Sequence, residues 1–311
     1  MPPRHATQLE TVSITVPEDA LEAYEAALGV ACGTVGFFLD EETGLWTLEG
    51  VKDRGANEGD LTASLALAAL LTGFTATPER ARTEAEGWLA RTLESFPEQQ
   101  VGRRFAVRGT HLTDSPSPGR IPIVLDAGIA FGSGEHGSTR GCLRALELVA
   151  HRAPRNILDL GTGSGILAMA AAKLLHRRVL ATDIDPWSVR VTRSNALRNG
   201  LSGRLRALRA DGWTSPVLTR HAPYDLVFAN ILARPLTRMA RHLARHLAPG
   251  GTAILAGLLA SQVPWVLAAH RAQGLVLERT LVEPRSANDP VGRGWATLIL
   301  RKRGAHFQTA S

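Results

Sequence analysis

Apolar and polar residues alternate with a period of two near the start of the chain. LETVSITV (9–16) has the alternation of a half-buried strand. TVGFFLD (34–40) and LWTLEGV (45–51) flank EETG, a pairing that predicts a hairpin turning at Gly44. Between them, EDALEAYEAAL (18–28) predicts a helix, with Pro17 ahead of it, acidic residues in its first turn and Gly29 at its end. Asp60 is placed to cap a helix over LTASLALAALL (61–71). The apolar run from Leu65 is too short to span a bilayer and predicts a core helix. A further helix is expected over 79–95, between Pro78 and Pro97. The order β-α-β-β-α is that of a ferredoxin-like α+β unit.

Residues 96–120 are rich in Pro, Gly, Ser and Arg and form the expected linker region, with DSPSPGR (114–120) its clearest part and RRFAVRG a short strand-like piece. From 121 onward the rhythm changes. NILDL (156–160), RVLAT (178–182), YDLVFAN (224–230) and TAILAG (252–257) are continuous apolar runs, as buried parallel strands are. Helical segments follow them at 166–175, 186–200, 232–244 and 261–274. This alternation predicts a doubly wound, mostly parallel Rossmann-like α/β sheet covered on both faces. No helix follows GWATLILRKR (294–303), which fits an antiparallel insertion strand. The expected organisation is a smaller α+β domain over 1–95, the linker region 96–120, and a larger α/β domain over 121–311.

Composition adds a charge asymmetry. Residues 1–125 hold 10 Lys and Arg against 18 Asp and Glu, a net −8, whereas 126–311 hold 25 against 11, a net +14. An acidic module attracts a basic partner, although two solvated faces would give the same balance. Cys32 and Cys142 are far apart and lack metal-ligand spacing, so they read as small buried hydrophobes in a reducing compartment. No apolar segment near the start has the form of a secretory signal, and a cytoplasmic protein with no membrane partner is expected.

The chemistry concentrates at the strand ends. Asp159-Leu160-Gly161-Thr162-Gly163-Ser164-Gly165 follows a strand and opens a helix. Glycines there allow a sharp turn and let a ligand approach the main chain. Ile166 breaks the G-x-G-x-x-G spacing of a dinucleotide fingerprint, which argues against a nicotinamide cofactor. Asp183, 22 positions after Gly161, ends the next strand, where a carboxylate can accept bonds from ribose hydroxyls. Asp185 suits a helix cap better. Asp211 is either an adenine contact or a turn residue.

These motifs, with an asparagine at the end of the 224–230 strand, resemble the class I methyltransferases, and residues 121–303 are similar to the ribosomal protein L11 methyltransferases in particular. The resemblance is carried by AGIAFGSGEHGSTRGCL (127–143), NILDLGTGSGILAMAA (156–171), ATDIDP (181–186), SNALRNG (194–200) and ANILARPL (229–236). It implies S-adenosyl-L-methionine as cofactor, with contacts from Thr139, Gly161, Asp183 and Asn230, and Gly163 in the same loop. In the 131–136 loop it keeps Phe131, a residue for the sulfonium, the substrate chain or the core, and His136, a candidate proton acceptor. Asn230 offers both a carbonyl acceptor and an amide donor where the reacting methyl should lie, and its carbonyl could orient an amine.

The 230–233 tetrapeptide, Asn-Ile-Leu-Ala, lacks the Asn-Pro-Pro-aromatic pattern of glutamine- and adenine-amino methyltransferases, so the resemblance favours an aliphatic amine. The implied substrate is a basic, Lys-rich large-subunit ribosomal protein, modified on lysine side chains or its N-terminal α-amine, with the 1–95 domain recognising it. Two alternatives stay open at this point: a ribosomal RNA methyltransferase, and a non-catalytic nucleoside- or protein-binding module. Sequence-specific nucleic-acid binding is not expected, since no such motif is present.

Overall fold

The computed structural model describes residues 9–32, 34–39, 43–83, 97–110, 112–125, 137–284 and 294–304. The chain divides into two compact units, 1–94 and 95–311.

Unit 1 contains β1 (Leu9–Val16), α1 (Leu21–Ala31), β2 (Thr34–Leu39), β3 (Trp46–Asp53), α2 (Glu58–Thr72) and β4 (Glu79–Thr83). Its sheet has the order β2-β3-β1-β4, with each adjacent pair antiparallel. This is the ferredoxin-like arrangement, two split βαβ units interleaved. Alternate residues Val12, Ile14 and Val16 of β1 and Trp46 and Leu48 of β3 are buried, alongside Tyr24, Ala27 and Leu28 of α1. The hairpin pairs as the spacing predicts, Leu39 opposite Trp46.

Several local expectations need correction. The 18–28 helix starts later and runs through Gly29 to Ala31, because Pro17 to Ala20 form a turn first. Asp60 sits inside the first turn of α2 instead of capping it. The cap position is Asn57, in the left-handed region. The expected core helix 61–71 buries Leu61 and Ala68, while Leu70 is 83% exposed. A helix lying on a single sheet covers only one of its sides, however apolar the others are. Residues 79–83 of the expected 79–95 helix form an edge strand on β1. The charged Glu79, Arg80 and Arg82 suit an edge, where charge discourages further pairing. The rest of that helix lies outside the described residues.

Unit 2 opens with β5 (Gln99–Val101), β6 (Phe105–Gly109) and β7 (Ile121–Leu125), a three-stranded sheet in sequence order. The stretch expected as a linker region therefore carries strands. Phe105, Val107, Ile123 and Leu125 join the unit's main core, and the Glu147 carboxylate accepts the backbone N–H groups of Arg103 and Arg104. Arg108, buried in this layer, is held by Glu98 and Asp114. The 114–120 part, like the turn at 102–104, has the exposed character its composition implies.

The remaining elements are α3 (Gly137–Val149), β8 (Ile157–Leu160), α4 (Ile166–Leu175), β9 (Val179–Asp183), α5 (Pro186–Arg198), β10 (Leu205–Arg209), α6 (Pro216–His221), β11 (Tyr224–Asn230), α7 (Ala233–His246), β12 (Leu247–Leu259), α8 (Val263–Arg271), β13 (Leu275–Glu283) and β14 (Trp295–Lys302). They build a seven-stranded sheet, β10-β9-β8-β11-β12-β14-β13. The β8, β9, β10, β11 and β12 strands are parallel, and β14 is inserted antiparallel between β12 and β13. The doubly wound fold is thus as the alternation predicts. Strand residues alternate between two cores. One contains residues of α3, α4 and α5, the other residues of α6, α7 and α8. The sequence reading assigns nothing at 275–283. β13 is there an edge strand, exposed along most of its length, so it lacks the apolar run of its neighbours.

Candidate active site

The sheet order reverses between β8 and β11. Ligands of open α/β sheets bind beyond the carboxyl ends of strands at such a reversal. β8 ends at Leu160, and the chain turns through Gly161 (φ +73°) and Gly163 (φ +55°) to Gly165 (φ +84°), the cap of α4. Left-handed backbone is ready for glycine and costly for other residues. Space agrees with conformation at Gly161, where a Cβ would lie 2.4 Å from the Ile231 side chain.

The turn is held from several sides. Gly161 and Thr162 both donate their N–H groups to the Thr182 carbonyl, at 2.8 and 2.9 Å. From α5, the Thr192 hydroxyl donates to the Gly163 carbonyl at 2.9 Å, and the Asn195 amide to Ser164 at 2.9 Å. Beneath the turn, Asp159 is buried. Its Oδ2 accepts the Thr162 hydroxyl at 2.6 Å and the Ala168 N–H at 3.1 Å, while Oδ1 has no partner among the described residues. Burial pushes this carboxyl up to about 6.

Asp183 ends β9 and stays partly exposed. Its Oδ2 accepts the Gly163 N–H at 2.9 Å, and its Oδ1 the Asp185 N–H at 3.0 Å. A carboxylate has about four acceptor positions, so it keeps capacity for a ligand's hydroxyls. Asp185 caps α5 as expected, accepting from the N–H groups of Trp187 and Ser188 at 2.9 Å each. Asn230 ends β11, and its Nδ2 lies 3.4 Å from the Thr139 hydroxyl in the first turn of α3.

Thr139, Gly161, Gly163, Asp183 and Asn230 line one cavity of about 480 Å³. Asp211 lines it too, and Leu160, Ile184, Ile231 and Met239 supply apolar wall. Phe131 and His136 lie outside the described residues. Among the described residues no group of three metal-ligating side chains exists, and no helix is long and apolar enough to cross a membrane. Cys32 and Cys142 are buried, far from any disulfide role. Burial pushes the Cys142 thiol up, away from reactivity.

The cavity fits S-adenosylmethionine. It is large enough for a small-molecule cofactor. One wall is main chain left bare by glycine, its flank carries a carboxylate with spare acceptor capacity, and the remainder is apolar enough to take an adenine ring.

Sequence reasoning gave no role to Asp159, Thr162, Thr192 or Asn195, which hold the turn, Thr162 also lining the cavity. Asp159 and Thr162 lie within the motif at 159–165 and Asn195 within SNALRNG, but neither stretch says what these side chains brace. A side chain bracing a carbonyl 31 positions away has no local signature. The apolar wall residues were equally hidden, since each reads as ordinary core.

Comparisons with known proteins agree with this geometry. The family model for ribosomal protein L11 methyltransferase (PrmA) matches residues 12–286. A ribosomal protein L11 methyltransferase from Bradyrhizobium diazoefficiens is 49% identical over 223 residues, 71% of this chain and 72% of the relative. One from Rhizobium meliloti is 44% identical over 266 residues, covering 85% and 87%. The crystal structure of a ribosomal protein L11 methylase from Lactobacillus delbrueckii subsp. bulgaricus superposes with a TM-score of 0.54 at 29% identity, covering 66% of this chain and 97% of that one. Matched along most of its length by the family model and by relatives of high identity, the chain belongs to the ribosomal protein L11 methyltransferase family, enzymes that use S-adenosylmethionine.

Proposed function

We propose that this enzyme methylates ribosomal protein L11 on aliphatic amines, lysine side chains or the N-terminal α-amine or both, in the cytoplasm. The observation that carries this reading is the convergence of Thr139, Gly161, Asp183 and Asn230, from four separate elements, on one cavity. The names of the relatives supply the substrate.

S-adenosylmethionine supplies the electrophilic methyl group. In this reading Asp183 accepts the ribose hydroxyls, Gly161 and Gly163 offer main chain, and Thr139 steadies the methionine end. The Asn230 carbonyl orients the incoming amine, and alignment is the protein's main contribution. The amine must be neutral to attack. An α-amine titrates at about 7.7–8.0 and a lysine at about 10.4, so a lysine target needs more help in losing its proton. His136 is the candidate acceptor, with water as the default. Unit 1, acidic over residues 1–60 with 3 basic against 12 acidic groups, holds the basic substrate within reach.

Tritium transfer from labelled S-adenosylmethionine to purified ribosomal protein L11, with ribosomal RNA as the competing acceptor, tests the activity. Label in the protein, released as methylated lysine or N-terminal residue on hydrolysis, is expected, and label in RNA would refute the reading. Deleting residues 1–94 should leave cofactor affinity intact and abolish methylation of the protein. Full activity after that deletion would remove the role given to unit 1.

A further inference from the structure

Helix α3 meets the sheet on a face that begins without side chains. Gly137 and Gly141 stand one turn apart on that face, and Thr139 between them lies about half a turn round the helix. The glycine face lies against β13 and β14. A Cβ on Gly141 would overlap the Thr297 hydroxyl of β14 and lie 3.1 Å from the Thr297 Cβ. One on Gly137 would lie 2.8 Å from the Trp295 ring and 3.2 Å from the Glu283 Cβ. Glycine inside a helix weakens it relative to alanine, so local propensity gives no reason for two of them in the first two turns of α3. Close approach does.

The strand cannot give way to a side chain at these positions. β14 is hydrogen-bonded to β12 on one side and to β13 on the other, with Thr297 opposite Leu281. The Thr297 hydroxyl is buried without a partner among the described residues, and it fills the space that a side chain at 141 would take. Ion pairs draw the helix onto this surface. The buried Glu283 carboxylate, at the end of β13, is bound by Arg144, with Arg140 3.8 Å away. On the far face of α3, Thr139 lines the donor cavity, and its hydroxyl lies 3.4 Å from the Asn230 Nδ2. That distance is at the long end for a hydrogen bond, so a small shift of α3 decides whether the bond is made. With Nδ2 donating to Thr139, the Asn230 carbonyl is left to accept from an incoming amine.

We propose that Gly137 and Gly141 are positioning residues for methyl transfer. By letting α3 seat directly on β14, they set the distance from Thr139 to Asn230, and with it the direction in which Asn230 presents its carbonyl. The inference rests on the roles proposed above for Thr139 and Asn230. A methyl group added at 141 displaces the helix, because the strand is fixed on both edges, and the helix carries Thr139 with it.

The test uses the full-length enzyme and initial rates on ribosomal protein L11, at S-adenosylmethionine concentrations shown to saturate each variant by titration calorimetry. Gly141→Ala should lower kcat about 10- to 100-fold, the loss expected of a misplaced reacting group, and change KM for the ribosomal protein by less than about threefold. Thr297→Ala removes the clashing hydroxyl and should stay within about threefold of the parent, and the double variant should recover most of the lost kcat, as contacting residues do. Gly251→Ala controls for stability. Its Cβ would lie 2.8 Å from the Ala248 carbonyl, at the opposite end of the sheet from the cavity, so it should lower the melting temperature and leave kcat alone. Should Gly141→Ala not fold, Gly137→Ala carries the same test against Trp295. Parental kcat in the folded glycine variant, or no recovery in the double variant, would overturn the proposal. So would an equal fall of kcat in Gly251→Ala, since stability alone would then account for the loss. Thr139→Val checks the reading underneath. Parental kcat there removes the role given to Thr139, whereas a loss there with none in Gly141→Ala removes only the glycine seat.

Discussion

Lys52 in unit 1 and Asp159 in unit 2 are both buried charged groups, and the two are treated in opposite ways. In unit 1, Lys52 is 4% exposed, and its ammonium donates to Glu10 at 2.7 Å, Glu58 at 2.6 Å and the Ala56 carbonyl at 2.6 Å. All three of its donors are used. Arg80 closes the network by binding both oxygens of Glu58, at 2.9 and 2.8 Å, and holds that carboxyl down at about 2. In unit 2, Asp159 is 1% exposed, and one of its oxygens has no partner among the described residues. Burial raises the Asp159 carboxyl, while the Lys52 bond chiefly lowers that of Glu10. A closed network of this kind holds a small domain together. The open one lies beneath the glycine turn and holds it through a single carboxylate oxygen.

Four changes would break or sharpen that contrast. The largest effect is expected from Lys52→Met, which strands Glu10 as a buried charge and should cost unit 1 about 3–5 kcal/mol, read as an earlier calorimetric transition for that unit. An unchanged transition would mean the network is not closed in solution.

Next comes Asp159→Asn. Burial pushes the folded carboxyl up to about 6, above the ordinary aspartate value of about 3.9, so the folded state holds the proton more tightly. Its favourable contribution is complete below about pH 4 and is lost as pH rises through about 6, a swing of about 3 kcal/mol. The variant should therefore gain on the parent between pH 4 and 7.5 in thermal melts, and a constant difference would count against the open pocket. Glu10 and Glu58 have the opposite sign. Their pKa values are depressed, so unit 1 should weaken as pH falls below about 4.5 toward about 2.

Asp183→Ala should act on ligand affinity instead of stability, because this carboxylate is partly exposed and keeps free acceptor capacity. Loss of charge-assisted bonds worth about 1.5–3 kcal/mol predicts a 10- to 100-fold weaker Kd for S-adenosylmethionine by titration calorimetry. The smallest effect is expected for Gly161→Ala, about 1–2 kcal/mol of stability from the left-handed backbone, accompanied by weaker cofactor binding as the turn shifts from Ile231. Equal cofactor affinity in the Asp183 variant would sink the assignment of that side chain.

Legibility in the sequence followed the range of the interaction concerned. The glycine turn, Asp183 and the Asp185 cap are made by neighbours along the chain, and their signals survive in a short window. The inner parallel strands β8, β9, β11 and β12 were legible because both faces of each are largely buried, which leaves continuous apolar runs. β4 and β13 were not, because edge strands are half exposed and carry charged residues that a helix would also accept. The region around 96–120 misled for a related reason. Its turns are rich in Pro and Gly, yet Phe105 and Val107 between them are held by packing on α3 and α4, which no window around 105 contains.

By itself the sequence determined the glycine turn, the carboxylate of Asp183 at a strand end and the Asp185 cap, because these are properties of a few adjacent residues. Only the tertiary structure decided that Thr139 and Asn230, 91 positions apart, meet across one cavity, and that Lys52 is fully paired while Asp159 is not. Pairing and burial depend on what the rest of the chain brings within about 3 Å, a hydrogen-bond length, and that partner is set by how the sheets pack.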